Sequence, residues 1–156
     1  MPILNRIADF QADLTGWRRD IHAHPETAFE EHRTSEFVAK RLTDFGIEIH
    51  RGLAGTGVVG TLRGTRPGGR AIAIRADMDA LHVHEKNHFG HSSTNDGKMH
   101  ACGHDGHTTM LLGAARYLAE TRNFAGTVHF IFQPAEESEG GARMMIEQGQ
   151  IGRAHV

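Results

Sequence analysis

Thr127-Val128-His129-Phe130-Ile131-Phe132 is the most strand-like stretch of this 156-residue chain. Its apolar character is nearly continuous, which is typical of a central strand covered on both faces. Two further stretches, Gly57 to Leu62 and Ala71 to Ala76, also predict strands, and Ile47 to His50 predicts a short one. Residues 66–70 (Arg-Pro-Gly-Gly-Arg) have the composition of a turn. We therefore expect the strands on either side of residues 66–70 to pair as a hairpin.

Helical periodicity accompanies these strands, because apolar residues recur at steps of three and four. The predicted helices span residues 3–22, Glu30–Asp44, Thr108–Thr121 and Ala142–Gln148. The apolar positions assigned to the core are Ile7, Phe10, Leu14, Trp17, Ile21, Phe37, Val38, Leu42, Phe45, Met110, Leu111, Ala114, Ala115 and Leu118. Residues 82–98 are polar and predict a surface loop. Strands interspersed with helices predict an α/β fold.

Composition excludes several classes of partner. The formal net charge is −2 and charges of both signs are interspersed, so no basic stripe for nucleic acid and no polybasic membrane patch is present. No window has the length and apolarity of a membrane span, and no apolar leader follows the N-terminus. A single cysteine excludes an internal disulfide and favours a reducing compartment. We expect a cytoplasmic protein that acts on a small molecule and has neither a nucleic-acid nor a membrane partner.

The stretch from Met99 to His107 (MHACGHDGH) concentrates metal-ligand chemistry. It holds the only cysteine of the chain, three histidines and one carboxylate. A thiolate at Cys102 and an imidazole at His104 suit zinc or a similar transition metal. Two alternatives stay open here: Cys102 could be a small buried apolar residue, and Asp105 could be the N-cap of the following helix.

Carboxylates follow two of the predicted strands. Asp77 and Asp79 come at the end of one, and Glu136 and Glu137 come directly after the central strand. Ligands of open α/β sheets bind at the carboxyl ends of strands, so these groups and Cys102 are expected to converge. A metal with thiolate, imidazole and carboxylate ligands, plus one spare carboxylate that takes a proton, has the parts of a metallohydrolase. The alternatives are turn aspartates and a solvated glutamate pair.

Four motifs, in order along nearly the whole chain, resemble the M20 amidohydrolases, in the hippurate hydrolase and N-acyl-amino-acid amidohydrolase branch. The motifs are Trp17–Glu26 (WRRDIHAHPE), Arg75–Leu81 (RADMDAL), His100–His107 (HACGHDGH) and Phe132–Glu137 (FQPAEE). The resemblance implies a zinc-peptidase-like catalytic domain with a mixed β-sheet flanked by helices. It also implies one or two divalent ions, manganese or zinc, and an N-acyl amino acid as substrate.

The resemblance further implies roles for individual residues. Cys102, His104 and Glu137 match metal ligands, and Glu136 matches the general base that activates water against the amide carbonyl and then protonates the departing amine. Asp79 matches a catalytic-site aspartate that orients the metal site. Asp77 and Asp105 match less distinctive positions of the motifs. One departure is His82, where family members commonly have proline.

Members of this family have longer chains, with further metal-binding histidines beyond residue 156 and an inserted domain that contacts the substrate and often dimerises. We therefore expect residues 1–156 to be the N-terminal part of a catalytic domain, apparently truncated, with the inserted dimerisation or lid domain and the C-terminal part absent, and we expect a homo-oligomer. One alternative is a catalytically inactive fragment that binds metal or a partner. Another is a thiol hydrolase with Cys102 as nucleophile and His104 or His107 as base.

Overall fold

The computed structural model describes residues 3–137 and 140–149. The helices are α1 (Ile3–Ala8), α2 (Gln11–Ala23), α3 (His32–Asp44), α4 (His104–Thr121) and α5 (Gly141–Glu147). The strands are β1 (Glu48–Leu53), β2 (Gly57–Arg63), β3 (Arg66–Asp77) and β4 (Ala125–Gln133). Residues 82–98 contain no helix or strand, as predicted. None of the helices within the described ranges is long and apolar enough to cross a bilayer.

The four strands form one mixed sheet in the order β1-β2-β4-β3. β2 pairs antiparallel with both β1 and β4, whereas β3 runs parallel to β4, with Ala71 opposite Thr127 and Asp77 opposite Gln133. The predicted hairpin of β2 and β3 is therefore wrong. β4, the most apolar strand, lies between them, and residues 66–70 are extended within β3 rather than forming a turn.

Helices cover both faces of this sheet, so the expected α/β class with a mixed, helix-flanked sheet is confirmed. On one face α2, α3 and α4 bury a core that includes Trp17, Leu42, Leu112 and Phe130. On the other face, Met145 of α5 packs with a smaller cluster around Leu53 and Ile131. The side chains of β4 alternate between these two clusters, which explains the continuous apolar run in its sequence.

Two helix predictions need correction. Residues 3–22 form two helices, because the chain turns at Asp9 and Phe10 and buries Phe10 while Ile7 is 37% exposed. α4 begins at His104 instead of Thr108, and Met110 is 64% exposed. A helix turns by about 100° per residue, so three consecutive apolar residues cannot all face one core. In α4 the buried ones are Leu111 and Leu112.

This topology brings three chain segments to one edge of the sheet. β3 and β4 are parallel neighbours, so both carboxyl ends lie at that edge. α4 is the crossover between them, and its N-terminus follows the loop that leaves β3. This edge of the sheet therefore holds the carboxylates of both strand ends, Cys102 and the first turn of α4.

Candidate metal centre

The first group of donor atoms at this edge contains Cys102, His104 and Glu137. One ligand atom from each lies within 4.8 Å of the other two. The Nε2 atom of His104 is 3.6 Å from Oε1 of Glu137. The ring of His104 is buried, while Cys102 is exposed and Glu137 is partly exposed, so the group is open to solvent on one side. The structure thus brings together the three residues that the sequence predicted as metal ligands.

A second group shares His104 and adds Asp77 and His107, again with one atom of each within 4.8 Å of the others. The Nδ1 atom of His107 is 2.7 Å from Oδ1 of Asp77. From the sequence, His107 was expected only as a possible base of a thiol hydrolase. The spacing of three residues between His104 and His107 could have indicated this role, because residues three apart lie on one face of a helix. It was missed because the predicted helix began only at Thr108, whereas α4 begins at His104.

Asp79 links two of the predicted ligands, although its own carboxylate is buried. Nδ1 of His104 donates to the backbone carbonyl of Asp79 at 2.8 Å and lies 3.2 Å from its Oδ1. The backbone N–H of Glu137 donates to Oδ2 of Asp79 at 3.1 Å. Protonation of Nδ1 leaves Nε2 of His104 as the free lone pair, which is the arrangement that a metal ligand requires.

Charge is unevenly distributed around these donors. Glu137, with help from burial, raises the pKa of the Cys102 thiol to about 11. Burial opposes protonation of His104, but Asp79 and Asp77 nevertheless raise the pKa of its imidazole. Burial also disfavours the Asp79 carboxylate, yet the hydrogen bonds from His104 and the Glu137 N–H lower its pKa. The cluster therefore carries excess negative charge, which favours bound cations or protons.

These residues fit a divalent transition-metal ion. The Oε1 atom of Glu137 is buried and has no hydrogen-bond partner among the described residues. A thiol, an imidazole with a free Nε2 and a carboxylate form a mixed donor set that is typical of zinc sites. Glu136, which is 3.9 Å from Nε2 of His104, is not in either donor group and remains as the spare carboxylate.

A buried carboxylate supports the loop that carries the two glutamates. Glu31 is fully buried, and its two oxygens accept hydrogen bonds from the Ala135 N–H at 2.9 Å and the Thr56 hydroxyl at 2.6 Å. Ala135 adopts a left-handed conformation with φ of 52°. Gly141 packs closely against the same loop, because a Cβ atom at this position would lie 1.9 Å from the carbonyl oxygen of Pro134. No sequence pattern indicated the role of Glu31, because a lone glutamate before a helix is usually solvated.

Asp105 is not the N-cap of α4, contrary to one of the alternatives, because Gly103 occupies that position with φ of 87°. Instead, Oδ2 of Asp105 is 2.8 Å from Nδ1 of His22 and accepts a hydrogen bond from Arg18 at 2.9 Å. The other ring nitrogen of His22 is 3.2 Å from Glu85. This buried network ties the loop of residues 82–98 and α2 to the first turn of α4.

Known proteins have sequences similar to that of this chain. The sequence profile described as peptidase family M20/M25/M40 matches residues 73–156. An N-acyl-L-amino acid amidohydrolase of Geobacillus stearothermophilus is 47% identical over 150 residues, which are 94% of this chain and 40% of that protein. A hippurate hydrolase of Campylobacter jejuni is 46% identical, with 96% and 38% covered. The chain therefore spans about 40% of the length of these relatives.

Solved structures agree with the sequence comparison. The YXEP protein of Bacillus subtilis, described as a dinuclear metal binding peptidase, superposes with a TM-score of 0.86 at 44% identity and covers 91% of this chain and 40% of its own. A putative aminohydrolase from methicillin-resistant Staphylococcus aureus gives a TM-score of 0.89 at 38% identity, with 96% and 40% covered. Both likenesses therefore extend over more than nine tenths of this chain.

Proposed function

Because the chain belongs to peptidase family M20/M25/M40, a family of metal-dependent hydrolases, we propose that it contributes the metal centre of an amidohydrolase that cleaves N-acyl amino acids. The observation that carries this proposal is the convergence of Cys102, His104 and Glu137 within 4.8 Å, with Glu136 beside them. The substrate class is supported by the relatives, which are named for hydrolysis of N-acyl-L-amino acids and of hippurate.

In this proposal Cys102, His104 and Glu137 hold a manganese or zinc ion, and Asp77 with His107 provides donors for a second one. Such an ion supplies Lewis acidity, which polarises the amide carbonyl and lowers the pKa of water. Asp79 keeps the proton of His104 on Nδ1, so that Nε2 stays available as a ligand.

Glu136 is the proposed general base. Its carboxylate belongs to neither donor group and is 38% exposed, so a water and a substrate can reach it. It takes one proton from the attacking water and gives it to the amine nitrogen as the C–N bond breaks. The second proton of the water leaves the new carboxylic acid and also ends on the amine. The products are therefore a carboxylate and an amino acid with an ammonium group, and Glu136 returns to its ionised form.

We also propose that residues 1–156 correspond to the N-terminal part of the relatives' catalytic domain. Hydrolysis by this chain alone is therefore itself a proposal. The second candidate is a portion that binds metal without turnover. The observation that favours it is the coverage of only 38–40% of the two relatives. A thiol hydrolase is disfavoured, because the carboxylates raise the pKa of Cys102 to about 11, whereas nucleophilic cysteines have lowered pKa values.

The test is hydrolysis of hippurate and N-acetyl amino acids by the chain loaded with Mn²⁺ or Zn²⁺, beside the variants Glu136→Gln and Glu147→Gln. Glu147 is an exposed glutamate on α5 and serves as the matched control. We expect Glu136→Gln to keep its metal and lose turnover by at least 100-fold, while Glu147→Gln keeps both. Stoichiometric metal without turnover in the parent would support the second candidate. Turnover that resists a chelator would contradict both.

A further inference from the structure

A cleft lies between α2 and the first two turns of α4, and it shares no residue with the candidate metal centre. It encloses about 370 Å³. Its wall includes Leu14, Arg18, Arg19, His91, Thr109 and Met110. Both arginines come from the Trp17–Glu26 motif, which the proposed hydrolysis leaves without a role.

Positive charge in this cleft is only partly neutralised. Nε of Arg18 donates to the buried carboxylate of Asp105 at 2.9 Å, and its two Nη atoms make no hydrogen bond within the described part of the chain. Arg19 is exposed and forms no ion pair with any described residue. Burial lowers the pKa of His91, and the charges of Arg19, His22 and Arg18 lower it further against the opposing charge of Glu85. An anion would be stabilised there.

Thr109, a wall residue of the same cleft, carries a buried hydroxyl group. Thr109 is 5% exposed, and its Oγ1 atom makes no hydrogen bond with the residues that the structure describes. A buried hydroxyl without a partner costs about 1–3 kcal/mol, so a ligand that accepts a hydrogen bond from it would be favoured. The two arginines offer donors only, and the Thr109 hydroxyl can also donate, so hydrogen-bond donors of two helices are present in one cleft.

The remaining wall is apolar. Leu14 of α2 and the exposed Met110 of α4 contribute side chains that a hydrocarbon group can cover. The aromatic ring of Phe89 stacks on His91, with the two ring centroids 4.2 Å apart. A purely inorganic anion would leave the apolar wall exposed, whereas an anion with an apolar substituent would use both parts.

We propose that this cleft is a binding site for a small carboxylate with an apolar substituent. The guanidinium groups of Arg19 and Arg18 pair with the carboxylate, the Thr109 hydroxyl donates one hydrogen bond to it, and the substituent packs on Leu14 and Met110. Planar guanidinium donors match a carboxylate better than a point charge does. The site does not depend on a metal or on the proposed hydrolysis.

The test is isothermal titration with benzoate as the probe, in the presence of a chelator, so that failure of the metal centre does not affect it. The variants are Arg19→Gln and Thr109→Val. The control is Arg63→Gln, at an exposed arginine of β2. We expect the dissociation constant to rise at least tenfold in Arg19→Gln and about three- to tenfold in Thr109→Val, from loss of one hydrogen bond, and to stay unchanged in Arg63→Gln. Circular dichroism of each variant checks the fold.

Three results would overturn the proposal. The first is equal binding of benzoate and its neutral analogue benzamide. The second is equal affinity of Arg19→Gln and Arg63→Gln. The third is tighter binding of inorganic phosphate than of benzoate. Amide shifts of Gly106 and Thr109 in an NMR titration locate the probe, and shifts confined to Cys102 and Glu137 would place benzoate at the metal centre instead.

Discussion

Replacement of Asp79 by asparagine tests how the candidate metal centre is held. The Asp79 carboxylate accepts from two N–H donors, Nδ1 of His104 and the backbone of Glu137. An asparagine amide has one acceptor oxygen and one NH₂ group. In either orientation the NH₂ group faces an N–H donor, so one proposed ligand loses its support.

The expected size of the effect follows from these contacts. Substitution of a residue that orients a ligand typically costs about 10- to 100-fold in metal affinity, which is about 1.4–2.7 kcal/mol. Hydrogen bonds to charged groups contribute about 1.5–3 kcal/mol each, so the loss of one accounts for this range. The backbone carbonyl of Asp79 still accepts from His104 at 2.8 Å, which keeps the effect below complete loss of binding.

The assay is competition for Zn²⁺ with a chromophoric chelator. The matched control is Asp96→Asn, because Asp96 is exposed and also contacts a histidine, with its Oδ1 3.0 Å from Nδ1 of His84. We expect the control to bind like the parent. Metal affinity of Asp79→Asn within threefold of the parent, in a variant whose fold is intact by circular dichroism, would refute the proposed support of the ligands.

Two further predictions concern pH. Metal affinity should rise about tenfold per pH unit from Cys102 alone, because its thiol, with a pKa of about 11, must lose a proton on binding. His104, whose pKa is also raised, makes this slope steeper at low pH. Competition titrations at several pH values measure the slope. Glu31→Gln should flatten the pH dependence of unfolding. Burial raises the pKa of Glu31, so the folded state binds its proton more tightly than the unfolded state, and the parent loses stability as pH rises from the unfolded value of about 4.3 through the raised one. Urea unfolding between these pH values checks the sign.

Each of these has a control. Cys102→Ser should reduce the slope of log affinity against pH by about one, and an unchanged slope would exclude the thiolate as a ligand. Glu36→Gln is the control for Glu31, since Glu36 is exposed on α3. Equal pH dependence of the two glutamine variants would show that burial of Glu31 does not shift its titration.

Much of the fold followed from local patterns. The continuous apolar run of β4 identified the central strand, and its flanking carboxylates identified the functional edge. The order of the strands was not predictable in the same way, because residues 66–70 have turn composition yet lie within β3. Pairing is decided by burial of β4 between β2 and β3, which is a contact between distant segments.

In the candidate metal centre, too, some residues were predictable from local sequence and others were not. Spacing and residue chemistry pointed to Cys102, His104 and the Glu136-Glu137 pair, because ligand types carry their own signature. The choice of Glu137 as the ligand came from the resemblance to the M20 family. The supporting residues were not predictable, because a buried carboxylate such as Glu31 or the hydrogen-bond partner of His22 has no local signature. Their roles arise only when distant segments pack, as when Asp105 meets His22 across 83 positions of sequence.

The most direct test of the central claim is titration of the metal-free chain with Co²⁺, monitored in the near ultraviolet for thiolate-to-cobalt charge transfer. Cys102 is the only cysteine of the chain, so any such band reports on that residue. We predict a band that saturates at a stoichiometric ratio, disappears in Cys102→Ser and weakens in Glu137→Gln. Stoichiometric cobalt binding without the band, or equal affinity of the parent and Cys102→Ser, would contradict the assignment of Cys102 to the metal centre.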